Sequence, residues 1–368
     1  MISVFGSKFT NEEIEEVTKT LSSQWIGMGS RVAQFEEKVK QLKNCEHFVM
    51  VDSASNGLYL ALKLLELPVG SEIILPTFTW VACAQAVILA GHKPVFCDVD
   101  IDTQNMSVET IRPHITPLTA AIMVVHYAGK PVDMDSIMEL GFPVIEDAAH
   151  AVNSYYKGKA CGTIGTIGVY SYDAMKNIAI GEGGGVVLHD IEMFERAKKL
   201  RYCGVGFSGF QQMMKQKVKS RWWEYDISDV FIRMLPTDLE ASIGIVQLDK
   251  QTEYQEYRKQ IWDKYQNAFR DIDWITCPID ALSHELHSYF TYFIQVNDRD
   301  DLAKYLIEKN IYTTLRYHPL HLNAIYNYKK VLKNAEQLNE TGLNIPLHPR
   351  LTMEEVDYII KCILDFKK

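Results

Sequence analysis

The sequence predicts an α/β protein, with a mostly parallel central sheet sandwiched by helices and a smaller C-terminal α+β domain behind it. Three observations carry this reading. Short apolar runs recur through the first two thirds of the chain, each ended by polar or small residues, with helical patterns between several of them. From about Asp238 this rhythm gives way to one long, polar helical stretch, Leu239 to Phe269. The 368 residues, 47% of them hydrophobic, supply core for about two domains. The division is placed at residues 1–245 for the large domain and 246–368 for the small one, entered along the long helix.

Each element has its own signal. Thr10-Asn-Glu-Glu13 is a capping box that opens a helix, and Val32, Phe35, Val39 and Leu42 recur at helical spacing in a second. Strands are expected at Phe48–Val51, Glu72–Leu75, Pro94–Cys97, Ala120–Val125, Pro143–Ile145, Gly168–Tyr172 and Gly185–Leu188, with helical patterns at Leu58–Leu67 and Val81–Leu89. After the long helix come an aromatic-rich strand (Ser288–Val296), a helix (Asp300–Lys309), a strand (Ile311–Arg316) and a terminal helix (Met353–Phe366). There is no internal repeat.

Composition narrows the function classes. A net charge of −9 argues against general binding of nucleic acid or an anionic membrane, which want a basic surface. Seven scattered cysteines with no C-x-x-C signal neither a disulfide framework nor a metal site. The N-terminus lacks a basic segment followed by an apolar one, and no apolar stretch is long enough to span a bilayer, so a cytoplasmic protein is expected.

Three segments could carry chemistry. Val51-Asp-Ser-Ala-Ser-Asn-Gly57 joins a strand to a helix, and a helix N-terminus at the carboxyl edge of a sheet suits a phosphate, although for the segment taken alone a plain helix cap is the favoured reading. Val144-Ile-Glu-Asp-Ala-Ala-His150 delivers carboxylates at the same edge. Asp147, at the strand exit, is the candidate to meet a metal, an arginine or a protonated ring nitrogen, while Glu146 should face the other way. Lys176 sits in a loop of small and apolar residues before Gly181-Glu-Gly-Gly-Gly185, where lost solvation would lower its pKa and make it a nucleophile toward carbonyl carbon; a solvated lysine is the plain alternative. Gly204-Val-Gly-Phe-Ser-Gly209 matches G-x-G-x-x-G but follows a basic helix end, not a strand, and is discounted as a dinucleotide fingerprint.

Together these segments resemble the DegT/StrS family of pyridoxal phosphate-dependent nucleotide-sugar aminotransferases, a fold-type I group. The resemblance spans nearly the whole chain through Trp25-Ile-Gly-Met-Gly29, Glu72-Ile-Ile-Leu-Pro-Thr-Phe-Thr-Trp80, Pro94-Val-Phe-Cys-Asp-Val-Asp100, Glu146-Asp-Ala-Ala149, Lys176 with Gly181-Glu-Gly-Gly184, Asp238-Leu-Glu-Ala-Ser-Ile-Gly244 and Arg316-Tyr-His-Pro-Leu-His321. It implies that Lys176 bonds the aldehyde of pyridoxal 5'-phosphate and that Asp147 pairs with the pyridine nitrogen, making the ring an electron sink. It implies also that Trp80 stacks on the ring, that Ala54, Ser55 and Ser171 hold the phosphate, and that His150 lies near the ring hydroxyl. Arg233 falls where relatives carry a residue that reaches the phosphate of a neighbouring subunit. Gly27, Met28, Gly29 and His318 are implied as substrate contacts. Ala54 and Ser55 depart from the family's Gly-Thr, and Asp173 stands where His or Tyr is usual.

The activity implied is ping-pong transfer of an amino group from L-glutamate to a nucleotide-linked keto-deoxy sugar, foremost a dTDP-4-keto-6-deoxyhexose, by a cytoplasmic homodimer with shared sites. A 3-keto sugar aminotransferase and a non-catalytic pyridoxal phosphate-binding regulator are the alternatives, and Lys176 speaks against the family's dehydratase branch, where a histidine replaces it. From Arg196 to Trp223 the chain carries basic residues and no acidic one; a solvated face is one reading, and Lys215, Lys217 and Lys219 as a seat for the sugar-nucleotide diphosphate is the sharper one.

Overall fold

The computed structural model describes residues 1–208, 221 and 223–367. After helices α1 (Asn11–Ser22) and α2 (Ser30–Lys43), the chain lays down β1 (His47–Val51), α3 (Ala54–Leu64), β2 (Glu72–Pro76), α4 (Val81–Leu89), β3 (Lys93–Cys97), β4 (Thr119–Val125) and β5 (Val144–Asp147). It continues through β6 (Ile167–Ser171), β7 (Gly184–Leu188) and α5 (Ile191–Leu200) into the long α6 (Asp238–Phe269). The seven strands form one sheet in the order β1-β7-β6-β5-β4-β2-β3. Pairing is parallel from β6 across to β3, and only β7 runs against its neighbours.

The alternation of side chains along each strand separates two cores. Val49 and Val51 of β1, Ala121, Met123 and Val125 of β4, and Val186 and Leu188 of β7 pack with α3, α4 and α5 on one face. Phe48 and Met50, Ile122 and Val124, and Val187 pack with α2 and the start of α6 on the other. Both faces of the sheet are therefore covered, as continuous apolar strands require. Thr237 caps α6 with a capping box through Glu240, and Asp238 Oδ1 accepts the Gly29 and Val32 N–H groups, which ties the start of α2 to the start of α6.

A third core joins the far half of α6 (Ile261, Trp262, Tyr265, Phe269) to β8 (Tyr292–Gln295), α7 (Arg299–Glu308), β9 (Gly342–Ile345), which follows helix α8 (Lys333–Thr341), and the terminal α9 (Met353–Asp365). Two expected strands differ here. Ser288–Val296 shrinks to β8, because Tyr289 adopts a left-handed conformation (φ 50°) and Ser288 and Phe290 donate their N–H groups to Gly129 and Ala128. Ile311–Arg316 forms only isolated bridges, Ile311 to Ile2 and Thr314 to Asn344. Its ladder stops because the Arg316 N–H is taken by the Asn344 side chain at 2.7 Å and not by a backbone carbonyl. Among the described residues no helix is long and apolar enough to cross a membrane.

The start of β7 lies against the start of α3: a Cβ on Gly184 would stand 2.5 Å from the Ala54 nitrogen and the Ser53 carbonyl carbon. Gly184→Ala should therefore destabilise the cofactor-free protein by about 1–3 kcal/mol, the usual cost of overpacking, read as a shift of the urea midpoint at unchanged slope.

Candidate active site

The parallel strands end at one edge of the sheet, and that edge opens into a cavity of about 500 Å³. It is lined by the α3 N-terminus (Ser53, Ala54, Ser55), by Thr79 and Trp80 before α4, by Asp147 and His150 after β5, and by Ser171, Asp173 and Lys176 after β6. Phe5 and the segment Tyr312 to Tyr317 close the other side.

Lys176 is placed by a folded loop. The Tyr172 N–H donates to Gly183 and the Ala174 N–H to Gly181, while the Asp173 carboxylate accepts the Met175 N–H at 2.9 Å and its carbonyl accepts the Lys176 N–H at 2.9 Å. Asp173, which departs from the family pattern, thus builds the turn that presents the lysine. The Lys176 amine sits 4.9 Å from the centre of the Phe290 ring. Burial, and then the nearby Arg316 guanidinium, lower its pKa to about 8, against the attraction of Asp147.

The two carboxylates of the Glu-Asp pair point to opposite faces, as strand geometry requires. Asp147 faces the cavity; its Oδ1 accepts the Ala149 N–H at 3.0 Å and its Oδ2 accepts the Cys83 thiol at 3.1 Å. Glu146 lies away from the cavity and accepts the Gly162, Ile164 and Gly165 N–H groups and the His126 ring. His150 stacks on Phe290 at 4.0 Å, and its Nε2 lies 3.1 Å from the Tyr317 hydroxyl. Burial, with the charges of Lys176 and Arg316, pushes its pKa well below the ordinary value, so the ring is neutral. Its buried Nδ1 has no hydrogen-bond partner among the described residues.

Arg316 is buried, stacked 3.9 Å over the Phe5 ring and 4.8 Å over Phe290, with Met175 Sδ 3.6 Å from its fork. Among the described residues no carboxylate pairs with it. At α3, the Ser53 hydroxyl caps the Asn56 N–H, which leaves the Ala54 and Ser55 N–H groups as first-turn donors toward the cavity.

Of the residues singled out in the sequence, Ala54, Ser55, Trp80, Asp147, His150, Ser171 and Lys176 line this one cavity. The others do not. Gly27, Met28 and Gly29 lead into α2, where Gly29 is held by Asp238, and His318 is exposed and bonded to Asn339 at 2.9 Å, so none of the four lines the cavity. Arg233 is exposed beside a backbone bridge to Tyr202. Lys215, Lys217 and Lys219 lie outside the described residues. Of the discounted G-x-G-x-x-G run, Val205–Ser208 form a strand paired with Tyr225–Ile227. Sequence reasoning passed over Phe5, Thr79, Cys83 and Tyr317 and gave Arg316 no role of its own; the one available signal was the cation heading Arg316-Tyr-His-Pro-Leu-His321.

The pattern of the DegT/DnrJ/EryC1/StrS aminotransferase family matches residues 7–364. The chain is 34% identical over 365 residues to the dTDP-4-dehydro-2,3,6-trideoxy-D-glucose 4-aminotransferase of Saccharopolyspora spinosa, covering 97% of this chain and 94% of that protein. It is 32% identical over 373 residues to the spore coat polysaccharide biosynthesis protein SpsC of Bacillus subtilis, covering 97% and 95%. Among solved structures, the aminotransferase TlmJ from Streptoalloteichus hindustanus superposes with a TM-score of 0.94 at 34% identity, over 100% of this chain and 98% of that one. The PLP-form of Spr1654 from Streptococcus pneumoniae gives 0.89 at 28% identity, over 98% and 97%.

The lowered pKa of Lys176 is directly measurable. In cofactor-free protein, its acetylation by acetic anhydride, followed by mass spectrometry, should rise with pH through a midpoint of about 8, because the amine is protonated and unreactive below that value and neutral above it. Surface lysines should titrate near ~10.4. Arg316→Gln removes a neighbouring positive charge and should move the Lys176 midpoint upward.

Proposed function

The chain belongs to the DegT/DnrJ/EryC1/StrS aminotransferase family, and we propose that it moves an amino group from L-glutamate to a nucleotide-linked keto-deoxy sugar, foremost a dTDP-4-keto-6-deoxyhexose, with pyridoxal 5'-phosphate as cofactor. The observation that carries this reading is the convergence of a desolvated lysine, a carboxylate and a helix N-terminus on one cavity.

The cavity residues fit the cofactor. The orphaned Nδ1 of neutral His150 suits the ring hydroxyl, Asp147 suits a protonated ring nitrogen, and the Ala54 and Ser55 N–H groups with the Ser55 and Ser171 hydroxyls suit the phosphate. When bound, pyridoxal phosphate supplies a ring that takes up the electron pair released at the donor's α-carbon and holds the amino group between the two halves of the exchange. Lys176, with its amine neutral at mildly alkaline pH, is the base that would take the proton from the donor's α-carbon and, in the second half of the exchange, deliver one to the keto carbon of the acceptor. Asp147 would pair with the ring nitrogen, and Trp80 lines the cavity wall where a ring would stack. Arg316, fixed between Phe5 and Phe290 and paired with no carboxylate among the described residues, offers its fork to the donor's carboxylate. The 4-amination reading follows the relative in Saccharopolyspora spinosa, whose name specifies a dTDP-linked 4-keto sugar.

A homodimer with shared sites belongs to the same reading. Trp223, Tyr225, Ile227, Val230 and Ile232 are exposed within ten residues, next to an Arg233 that does not line the cavity of its own chain. A second copy would cover this apolar face and receive the guanidinium.

Incubation with glutamate and dTDP-, UDP- or GDP-linked 4-keto and 3-keto sugars, read by mass spectrometry, should give amination of a 4-keto substrate first and none with Lys176→Ala. Turnover by Lys176→Ala would overturn the lysine's role, and amination of 3-keto sugars alone would overturn the regiochemistry. Arg316→Gln should raise the glutamate KM about 10- to 100-fold, the worth of a charge-assisted bond of about 1.5–3 kcal/mol, and leave the sugar-nucleotide KM unchanged. An equal rise in both would remove Arg316 from donor recognition.

A further inference from the structure

Asp147 is oriented by a chain of hydrogen bonds that begins on another element. Its Oδ2 accepts the Cys83 thiol of α4 at 3.1 Å, and the Cys83 sulfur lies 3.3 Å from the Thr79 hydroxyl. A thiol has one proton, so with that proton on Asp147 the sulfur accepts from Thr79. The direction is fixed: Thr79 to Cys83 to Asp147. Cys83 and Thr79 are fully buried, and among the described residues Cys83 is the only side chain bonded to Asp147. Oδ1 is held independently by the Ala149 N–H at 3.0 Å. One donor on each oxygen fixes the carboxylate plane and leaves the other lone pairs for the cavity.

We propose that Cys83 is a positioning residue for the reaction, acting through Asp147: its thiol holds the carboxylate in the plane that meets the cofactor's ring nitrogen while withdrawing little of its charge. The chemical choice supports this. A hydroxyl at this position would be a stronger donor and would draw more charge from the carboxylate, whereas a thiol donates weakly. Burial, and then the charge of Asp147, hold the thiol protonated, so it remains a donor across the working pH range. The proposal rests on the reading of the cavity as a pyridoxal phosphate site.

The test combines a cofactor-free readout with a functional one. In the cofactor-free protein, the infrared S–H stretch of Cys83, assigned by its loss in Cys83→Ser, should lie below those of the other thiols and move up in Asp147→Asn. For the holoenzyme, Cys83→Ala should lower kcat roughly 10-fold in both half-reactions at unchanged KM and weaken pyridoxal phosphate, followed by quenching of tryptophan fluorescence, by a similar factor, with its melting temperature close to wild type; Cys83→Ser should recover most of both losses. An S–H band that ignores Asp147→Asn, or equal losses in the alanine and serine variants, would overturn the positioning role alone. A normal S–H shift in a wild-type protein that does not bind pyridoxal phosphate would overturn the reading of the cavity and the proposal with it.

Discussion

One buried carboxylate organises the site without touching it. Glu146 sits inside the protein and accepts three backbone N–H groups from residues 162–165 and one from the His126 ring. The Nδ1 of His126 accepts the Val132 N–H, so Nε2 carries the proton and donates it to the carboxylate. An unpaired carboxylate here would cost several kcal/mol, and four donors offset that cost. The effect is geometric. Locking Glu146 to one face of β5 compels Asp147, the next residue, to face the other, into the cavity. The same bonds draw the 162–165 loop under the sheet and set the start of β6, which ends at the Ser171 side of the cavity and leads on to Lys176.

The cavity's electrostatics follow from this placement. Burial, and then the charge of Arg316, bear on the Lys176 amine, and the carboxylates of Asp147 and Asp173 oppose them only in part. That combination brings the lysine's pKa down to about 8 and strips the proton from His150, so one constellation yields a usable base at mildly alkaline pH and a neutral ring. The aromatic faces of Phe5 and Phe290 hold Arg316 without neutralising it, leaving its fork for an incoming anion. Phe5 comes from the first residues of the chain, Phe290 from just before β8 and Arg316 from the segment after α7, so the anion seat is assembled from three distant parts of the sequence.

The seven sheet strands and the long helix were legible in the chain, because a strand buried on both faces must be an apolar run and a helix must repeat at its own period. Seven of the residues picked out in the sequence line the cavity: Asp147 and Lys176 were marked by their places after buried strands, Ala54 and Ser55 by theirs at a helix start, and Trp80, His150 and Ser171 by the family resemblance. The reading broke down where contact is non-local. Ile311–Arg316 looks like a strand, but the Asn344 side chain takes the Arg316 N–H and ends its pairing. Cys83 reads as one more apolar residue of α4, and only the packing of α4 beside β5 turns its thiol toward Asp147.

By itself, then, the sequence determined the layered α/β architecture and the chemical types at the strand ends, because both depend on local periodicity and on adjacency along the chain. Only the tertiary structure decided which cation lies close enough to lower the pKa of Lys176, which thiol meets the Asp147 carboxylate, and which of the glycine, histidine and arginine candidates do not line the cavity of their own chain. Those outcomes depend on distances between segments far apart in the chain and on the exclusion of water, and no pattern of neighbouring residues encodes either.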